Sequence, residues 1–99
     1  MTEQLFEWDE NKAASNYRKH GILFEDAIEV FDDPFCFHEQ DRIENGEYRW
    51  QAIGFTSEGT LLLLVAYTIR HRKNTDIIRI ISARQATRLE RKRYGNRAI

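Results

Sequence analysis

At 99 residues, with 41% hydrophobic, 12% aromatic and 31% charged side chains, the chain has the composition of one globular domain spanning residues 1–99, not of a disordered or fibrous protein. Its one cysteine, Cys36, excludes an internal disulfide framework, and its longest apolar run, Leu61 to Ala66, falls far short of the roughly 18 to 20 residues that span a bilayer. The net charge of −1 joins two opposed halves: residues 1–45 carry twelve Asp/Glu against four Lys/Arg (net −8), and residues 46–99 carry eleven Lys/Arg against four Asp/Glu (net +7).

The cations gather further toward the end of the chain, at Arg79, Arg84, Arg88, Arg91, Lys92, Arg93 and Arg97, with Glu90 as the acidic interruption. In a chain that is neutral overall, this points to one face built for a polyanion; a solvated charged helix is the plain alternative. The acidic beginning of the sequence lacks the basic-then-apolar order of a signal peptide, so a cytoplasmic protein without a membrane partner is expected.

Phe6-Glu7-Trp8-Asp9 alternates apolar and acidic residues as a short strand does, and Asp9 then stands where a helix N-cap belongs. The spacing predicts a first helix to about His20, burying Ala13, Ala14 and Tyr17, with Gly21 as a left-handed C-cap. A second, shorter helix follows, with Phe24, Ala27, Ile28 and Phe31 on one face, carboxylates in its first turn, and Asp32-Asp33-Pro34 ending it.

From Phe35 the apolar period changes from 3.6 to 2. Phe35 to Glu39 reads as a strand, and Asn45-Gly46 as a hairpin turn into a strand from Tyr48 to Phe55. Thr60 to Thr68, apolar on both faces, reads as a central strand. Arg70 to Thr75 reads as a basic loop, and Asp76 to Arg84 as the last strand. Thr87 with Glu90 three residues later is a capping box that opens a terminal helix. The whole is an α+β domain: two N-terminal helices, an antiparallel sheet of about four strands, and a C-terminal helix.

Alternation sets Arg79 on the face of Ile77 and Ile81, and Ser82 and Arg84 on the face of Ile78 and Ile80. An arginine inside an isoleucine-rich strand is costly unless it is paired or faces a cleft, so Arg79 is the leading functional candidate, a salt bridge to an N-terminal carboxylate being the structural alternative. Arg49, beside Trp50, has the same status. Arg70, Arg84, Arg88 and Arg91 stand at strand ends or on the last helix, where bidentate contacts can hold phosphates. Tyr48, Trp50 and Tyr67 are candidates for stacking nucleobases or for the core.

The three histidines occur singly, and no metal-ligand spacing, phosphate loop or nucleophile motif is present, so neither a metal nor a cofactor is expected. Metal-free RNA cleavage remains compatible: the 2′-hydroxyl attacks the adjacent phosphate, which requires cations around the phosphorane and groups that move protons. Arginines meet the first need; His20, His71 or Tyr94 would have to meet the second.

Phe6-Glu7-Trp8-Asp9-Glu10-Asn11-Lys12, Lys19-His20-Gly21 with Phe24-Glu25-Asp26-Ala27, Val30-Phe31-Asp32-Asp33-Pro34, and Arg79-Ile80-Ile81-Ser82-Ala83-Arg84 with Glu90-Arg91 and Tyr94 stand in this order along the chain. Together they resemble the BrnT family of bacterial toxins from Phe6 to Tyr94. The resemblance implies a RelE-like fold and a ribonuclease that inhibits translation and growth. It further implies neutralisation by a BrnA-like antitoxin that binds DNA and represses the shared operon, so that DNA enters only through the antitoxin. Arg49, Arg79 and Arg84, with Arg70 adjoining, would then be the catalytic, phosphate-handling set, and Arg88, Arg91, Tyr94 and His71 the RNA-binding set. A non-catalytic RNA-binding or antitoxin-binding module using the same basic face is the competing reading.

Overall fold

A computed structural model describes residues 3–97; the Arg97 side chain, part of the basic run, lies outside the described residues. The elements are β1 (Glu3–Glu7), α1 (Glu10–His20), α2 (Phe24–Ala27) continued by a 3-10 turn (Ile28–Asp32), β2 (Phe37–Glu44), β3 (Glu47–Phe55), β4 (Leu62–Arg72), β5 (Thr75–Gln85) and α3 (Arg88–Arg97). The α+β class holds, but the expected detail does not. The short strand read at Phe6 is present as β1, so the helices do not come first, and the sheet has five strands instead of about four, in the order β1-β5-β4-β3-β2. Four of them form the antiparallel meander, and β1 adds to β5 in parallel. Ile28, Val30 and Phe31, β-branched or aromatic, followed by Asp32-Asp33-Pro34, support only one α-turn before the chain tightens.

Local signals are realised closely. Asp9 Oδ1 accepts hydrogen bonds from the Asn11 and Lys12 amides at 2.7 and 3.2 Å, and Gly21, at φ 70°, donates its amide to the Tyr17 carbonyl. Asn45 and Gly46, at φ 52° and 79°, make the β2–β3 turn. The basic segment Arg70 to Thr75 is not a loop: β4 runs to Arg72 and β5 starts at Thr75, leaving a two-residue turn in which Asn74 takes φ 60°.

The helices lie on the two faces of the sheet. Ile22, Phe24, Ala27 and Val30 pack on Ala52, Leu63, Val65, Tyr67, Ile78, Ile80 and Ala83. The opposite face buries Phe37, Ile53, Leu62 and Leu64 against Tyr94 of α3. A strand covered on both sides must be apolar on both, which is why β4 is. On α1 the expected buried side is shifted. Tyr17 and Ala14 are exposed, and Asn16 is buried, its amide donating to the Ile22 and Ala83 carbonyls (3.1 and 2.9 Å) and accepting from the Ala83 N–H (3.0 Å). Among the described residues no helix is long and apolar enough to cross a membrane.

Three polar anchors seat α3. Glu90 closes the capping box with Thr87 and takes a bidentate contact from Arg84 at 2.8 and 2.9 Å. Arg93 pairs with Glu39 and lies over the Phe37 ring. The Tyr94 hydroxyl donates to Asp33 (2.7 Å), whose carboxylate also accepts the Phe55 and Phe35 amides at 2.8 and 2.9 Å.

Burial alone would raise the Asp33 pKa, but those three hydrogen bonds outweigh it and hold the carboxyl below its usual range. A depressed folded pKa stabilises the fold above the unfolded value, near 3.9, and the gain disappears as pH falls through the folded value. Asp33→Ala, leaving the Phe55 amide and Tyr94 hydroxyl unpaired, is therefore expected to cost about 2 kcal/mol in urea unfolding at pH 7. At pH 2.5 the difference from wild type should be much smaller; equal losses at both pH values would remove the carboxylate from the seating of α3.

Candidate active site

The end of the sheet beyond α3 collects the cations. Residues paired across neighbouring strands point to one side, and alternate residues of a strand share it. Leu64, in the cluster beneath α3, pairs with Arg84; further along β4, Thr68 pairs with Arg79 and Arg70 with Ile77; on β1, Glu7 pairs with Arg79. Glu7, Arg70, Arg79 and Arg84 consequently share the α3 side. So does Arg49, because its neighbour Trp50 pairs with Tyr67 on the opposite side.

Simple alternation had assigned Arg79 and Arg84 to opposite faces, and the structure corrects this. Ala66 pairs with Ser82 but Tyr67 with Ile80, so Ile81 is an extra residue, a bulge that reverses the alternation between the two arginines. The same bulge lets Ile80 and Ala83 both reach the core under α1 and α2.

Arg70 and Arg79 meet at one carboxylate, while Arg49 and Arg84 each have a different acidic partner. The Arg79 guanidinium is 2.9 Å from Glu7 Oε2, and Arg70 lies 3.3 Å from Glu7 Oε1, so one carboxylate sits between two cations. The salt bridge weighed for Arg79 is present, but its side chain is 44% exposed rather than buried. Ion pairs this open are worth about 0–1 kcal/mol, and an incoming phosphate can take the place of Glu7 at little cost. Arg49, more shielded, has Glu44 3.7 Å from Nε, and that buried Nε has no hydrogen-bond acceptor among the described residues. Arg84 is four β4 positions from Arg79, about 13 Å along the strand. Hydrogen bonding to Glu90 raises the Arg84 pKa and lowers that of Glu90, which makes the pair a clasp for α3.

The proton-moving candidates are dispersed. Tyr94 is 9% exposed, burial and the bond to Asp33 raise its pKa, and its ring meets Phe55 edge-on, so a base has no access to it. His20 closes α1 on the helix-covered side. His71 stands at the tip of the β4–β5 hairpin, next to Arg70, its Nδ1 2.7 Å from Asp76. Tyr67 is packed, bonded to His38 at 2.8 Å, with burial pushing its pKa up to about 12 and that of His38 down. Burial likewise pushes the Cys36 thiol up to about 12, unsuited to a nucleophile. Arg88 and Arg91 are exposed on the outer side of α3, with no ion pair among the described residues.

A family model described as "Ribonuclease toxin, BrnT, of type II toxin-antitoxin system" matches residues 8–90. The chain belongs to the BrnT family. No curated protein matches it. The matched span takes in Arg49, Arg70, Arg79 and Arg84, and Glu7 lies one residue before it. Membership makes this a ribonuclease toxin of a type II toxin-antitoxin system, whose partner is an antitoxin and whose substrate is RNA.

Two residues at this BrnT site escaped sequence reasoning. Glu7 reaches Arg70 and Arg79 from 63 and 72 residues away, through a parallel pairing that no local pattern encodes. Asp76 carried a usable signal: with Lys73-Asn74 read as a hairpin turn, it falls directly opposite His71.

Proposed function

We propose that the chain is an endoribonuclease that cleaves RNA by metal-independent transesterification at the Arg49, Arg70 and Arg79 end of the sheet. A BrnA-like, DNA-binding antitoxin would neutralise it in the cytoplasm, with inhibition of translation and growth as the outcome. The observation that carries this reading is the carboxylate of Glu7 held between Arg70 and Arg79 on an exposed face.

The scissile phosphate enters between the two guanidiniums and displaces Glu7. The freed carboxylate accepts the 2′-hydroxyl proton as that oxygen bonds to phosphorus. The P–O5′ bond then breaks, leaving a 2′,3′-cyclic phosphate, and the 5′-oxygen takes a proton from the water that reaches this open end. Arg49, Arg70 and Arg79 balance the charge that grows on the phosphorane, as preorganised donors do. Arg84 lines the same face further along, and His71, Arg88 and Arg91 extend the contact with the phosphate backbone, so binding should weaken steeply with salt.

Glu7→Gln tests the proton acceptor. The amide keeps the shape but accepts no proton, so cleavage should slow by about 100-fold or more while RNA affinity is kept or rises. An unchanged rate would remove Glu7 from the chemistry.

A further inference from the structure

The outward side of α1 is apolar where a solvated helix would be polar. Ala13, Ala14 and Tyr17 follow helical spacing and read as a buried stripe, yet Asn16 takes the buried position against β5 and leaves Ala14 and Tyr17 to solvent. Leu23, at the start of α2, is exposed as well. Among the described residues the Tyr17 ring meets no other aromatic, and its hydroxyl has no hydrogen-bond partner. Tyr17 and Leu23 line one groove of about 370 Å³ between α1 and α2, with Ala13 and Ala14 along its α1 wall and the fully buried Phe24 at its floor. The alanines let a partner's backbone come close, and the tyrosine offers a large flat surface at a small loss of freedom.

Charge decides what fits there. The groove lies on the α1 and α2 side of the sheet, whereas Arg49, Arg70, Arg79 and Arg84 share the α3 side. Its rim carries Glu10 and Glu25 against Arg18, and residues 21–34 add a run with Glu25, Asp26, Glu29, Asp32 and Asp33 and no Lys or Arg. Among the described residues neither Glu25 nor Arg18 makes an ion pair. An acidic rim repels a phosphate backbone, so RNA is a poor occupant. Two copies of this chain face to face would set four carboxylates against two guanidiniums, twice Glu10 and Glu25 against twice Arg18, which is a poor match too. An apolar protein segment flanked by Lys or Arg suits both the groove and its rim, and membership in a type II family supplies a protein partner.

We propose that this groove anchors the antitoxin, through an apolar segment flanked by basic residues. The anchor rests on the family's antitoxin pairing and not on the chemistry of cleavage. It stands behind the sheet from the arginine face, so holding the antitoxin and covering the RNA site are tasks for two different parts of the complex.

The test compares wild type, Tyr17→Ala, Ala14→Arg and Glu25→Lys in three measurements: affinity for the purified cognate antitoxin, growth with that antitoxin co-expressed, and RNA cleavage by the free toxin. Tyr17→Ala and Ala14→Arg should weaken antitoxin binding about 30-fold or more, as loss or obstruction of a central interface contact does. The same free variants should cleave RNA at the wild-type rate and arrest growth in spite of the antitoxin. Glu25→Lys should weaken binding about three- to tenfold and flatten its dependence on salt. Circular dichroism checks the fold, which alanine and arginine, both good helix formers, should preserve at exposed positions of α1. Wild-type affinity and full rescue of growth in Tyr17→Ala and Ala14→Arg would overturn the anchor. Unchanged antitoxin binding with loss of a wild-type homodimer would overturn it in favour of a second copy, and unchanged antitoxin binding with weakened RNA binding in favour of RNA. Antitoxin affinities that shift as expected while the wild type cuts no RNA would uphold the anchor and remove the ribonuclease mechanism alone.

Discussion

Expression of Arg79→Ala in a bacterial host should leave growth unimpaired where the wild-type chain arrests it, and the purified variant should cleave RNA about 100- to 1,000-fold more slowly. The magnitude is that of removing one preorganised donor from a developing oxyanion, about 2.7–4 kcal/mol of barrier. Arg79 is the residue to test because it lies at the junction of β1, β5 and β4, paired with Glu7 on one side and Thr68 on the other. Its fold contribution is small: one ion pair on a side chain 44% exposed. The melting temperature should thus move by no more than a few degrees. Arg79→Lys separates charge from geometry, since an ammonium keeps the cation but loses the planar fork that grips a phosphate at two points; partial recovery is expected. Full toxicity in a well-folded Arg79→Ala would exclude the residue from the site.

The largest effect on stability should come from Asn16→Ala. Asn16 is 5% exposed, and its amide group satisfies the Ala83 N–H and the Ala83 and Ile22 carbonyls together. Truncation leaves three buried backbone groups without a partner where α1 meets β5, immediately after the bulge that places Arg84. A loss of about 3 kcal/mol is expected, which in a domain of this size lowers the melting temperature by roughly 10 to 20 °C. Asn16→Asp should be at least as harmful, because a carboxylate cannot donate to the two carbonyls and would face them as a buried charge. Thermal unfolding of both variants checks this; a shift under 3 °C would mean that α1 is held by its apolar contacts alone.

These two residues mark the boundary of what the sequence discloses. Asp9, Gly21, Asn45-Gly46 and the Thr87–Glu90 box act over two to four residues, so their physics is complete within a short window and the elements they bound were readable. The alternation of Asp76 to Arg84 was readable too, yet its phase was not. The extra residue at Ile81 depends on Ala66 and Tyr67 of another strand, and without it Arg79 and Arg84 fall on opposite faces. Apolar periodicity likewise chose Tyr17 over Asn16, because an asparagine earns burial only through distant partners, here the backbone of Ala83. At the site, the arginines were visible as types in a basic half of the chain. Their grouping around Glu7 was not, since it depends on β1 pairing with a strand some seventy residues later.

The most direct measurement of the central claim is the chemistry of the cut ends. Purified wild-type protein and Arg79→Ala, each incubated with labelled RNA in EDTA, should differ completely: fragments ending in 2′,3′-cyclic phosphate from the wild type, and uncut RNA from the variant. Cleavage that stops in EDTA, or that leaves 3′-hydroxyl ends, would contradict metal-free transesterification. Equal cleavage by both proteins would contradict the arginine face as its site.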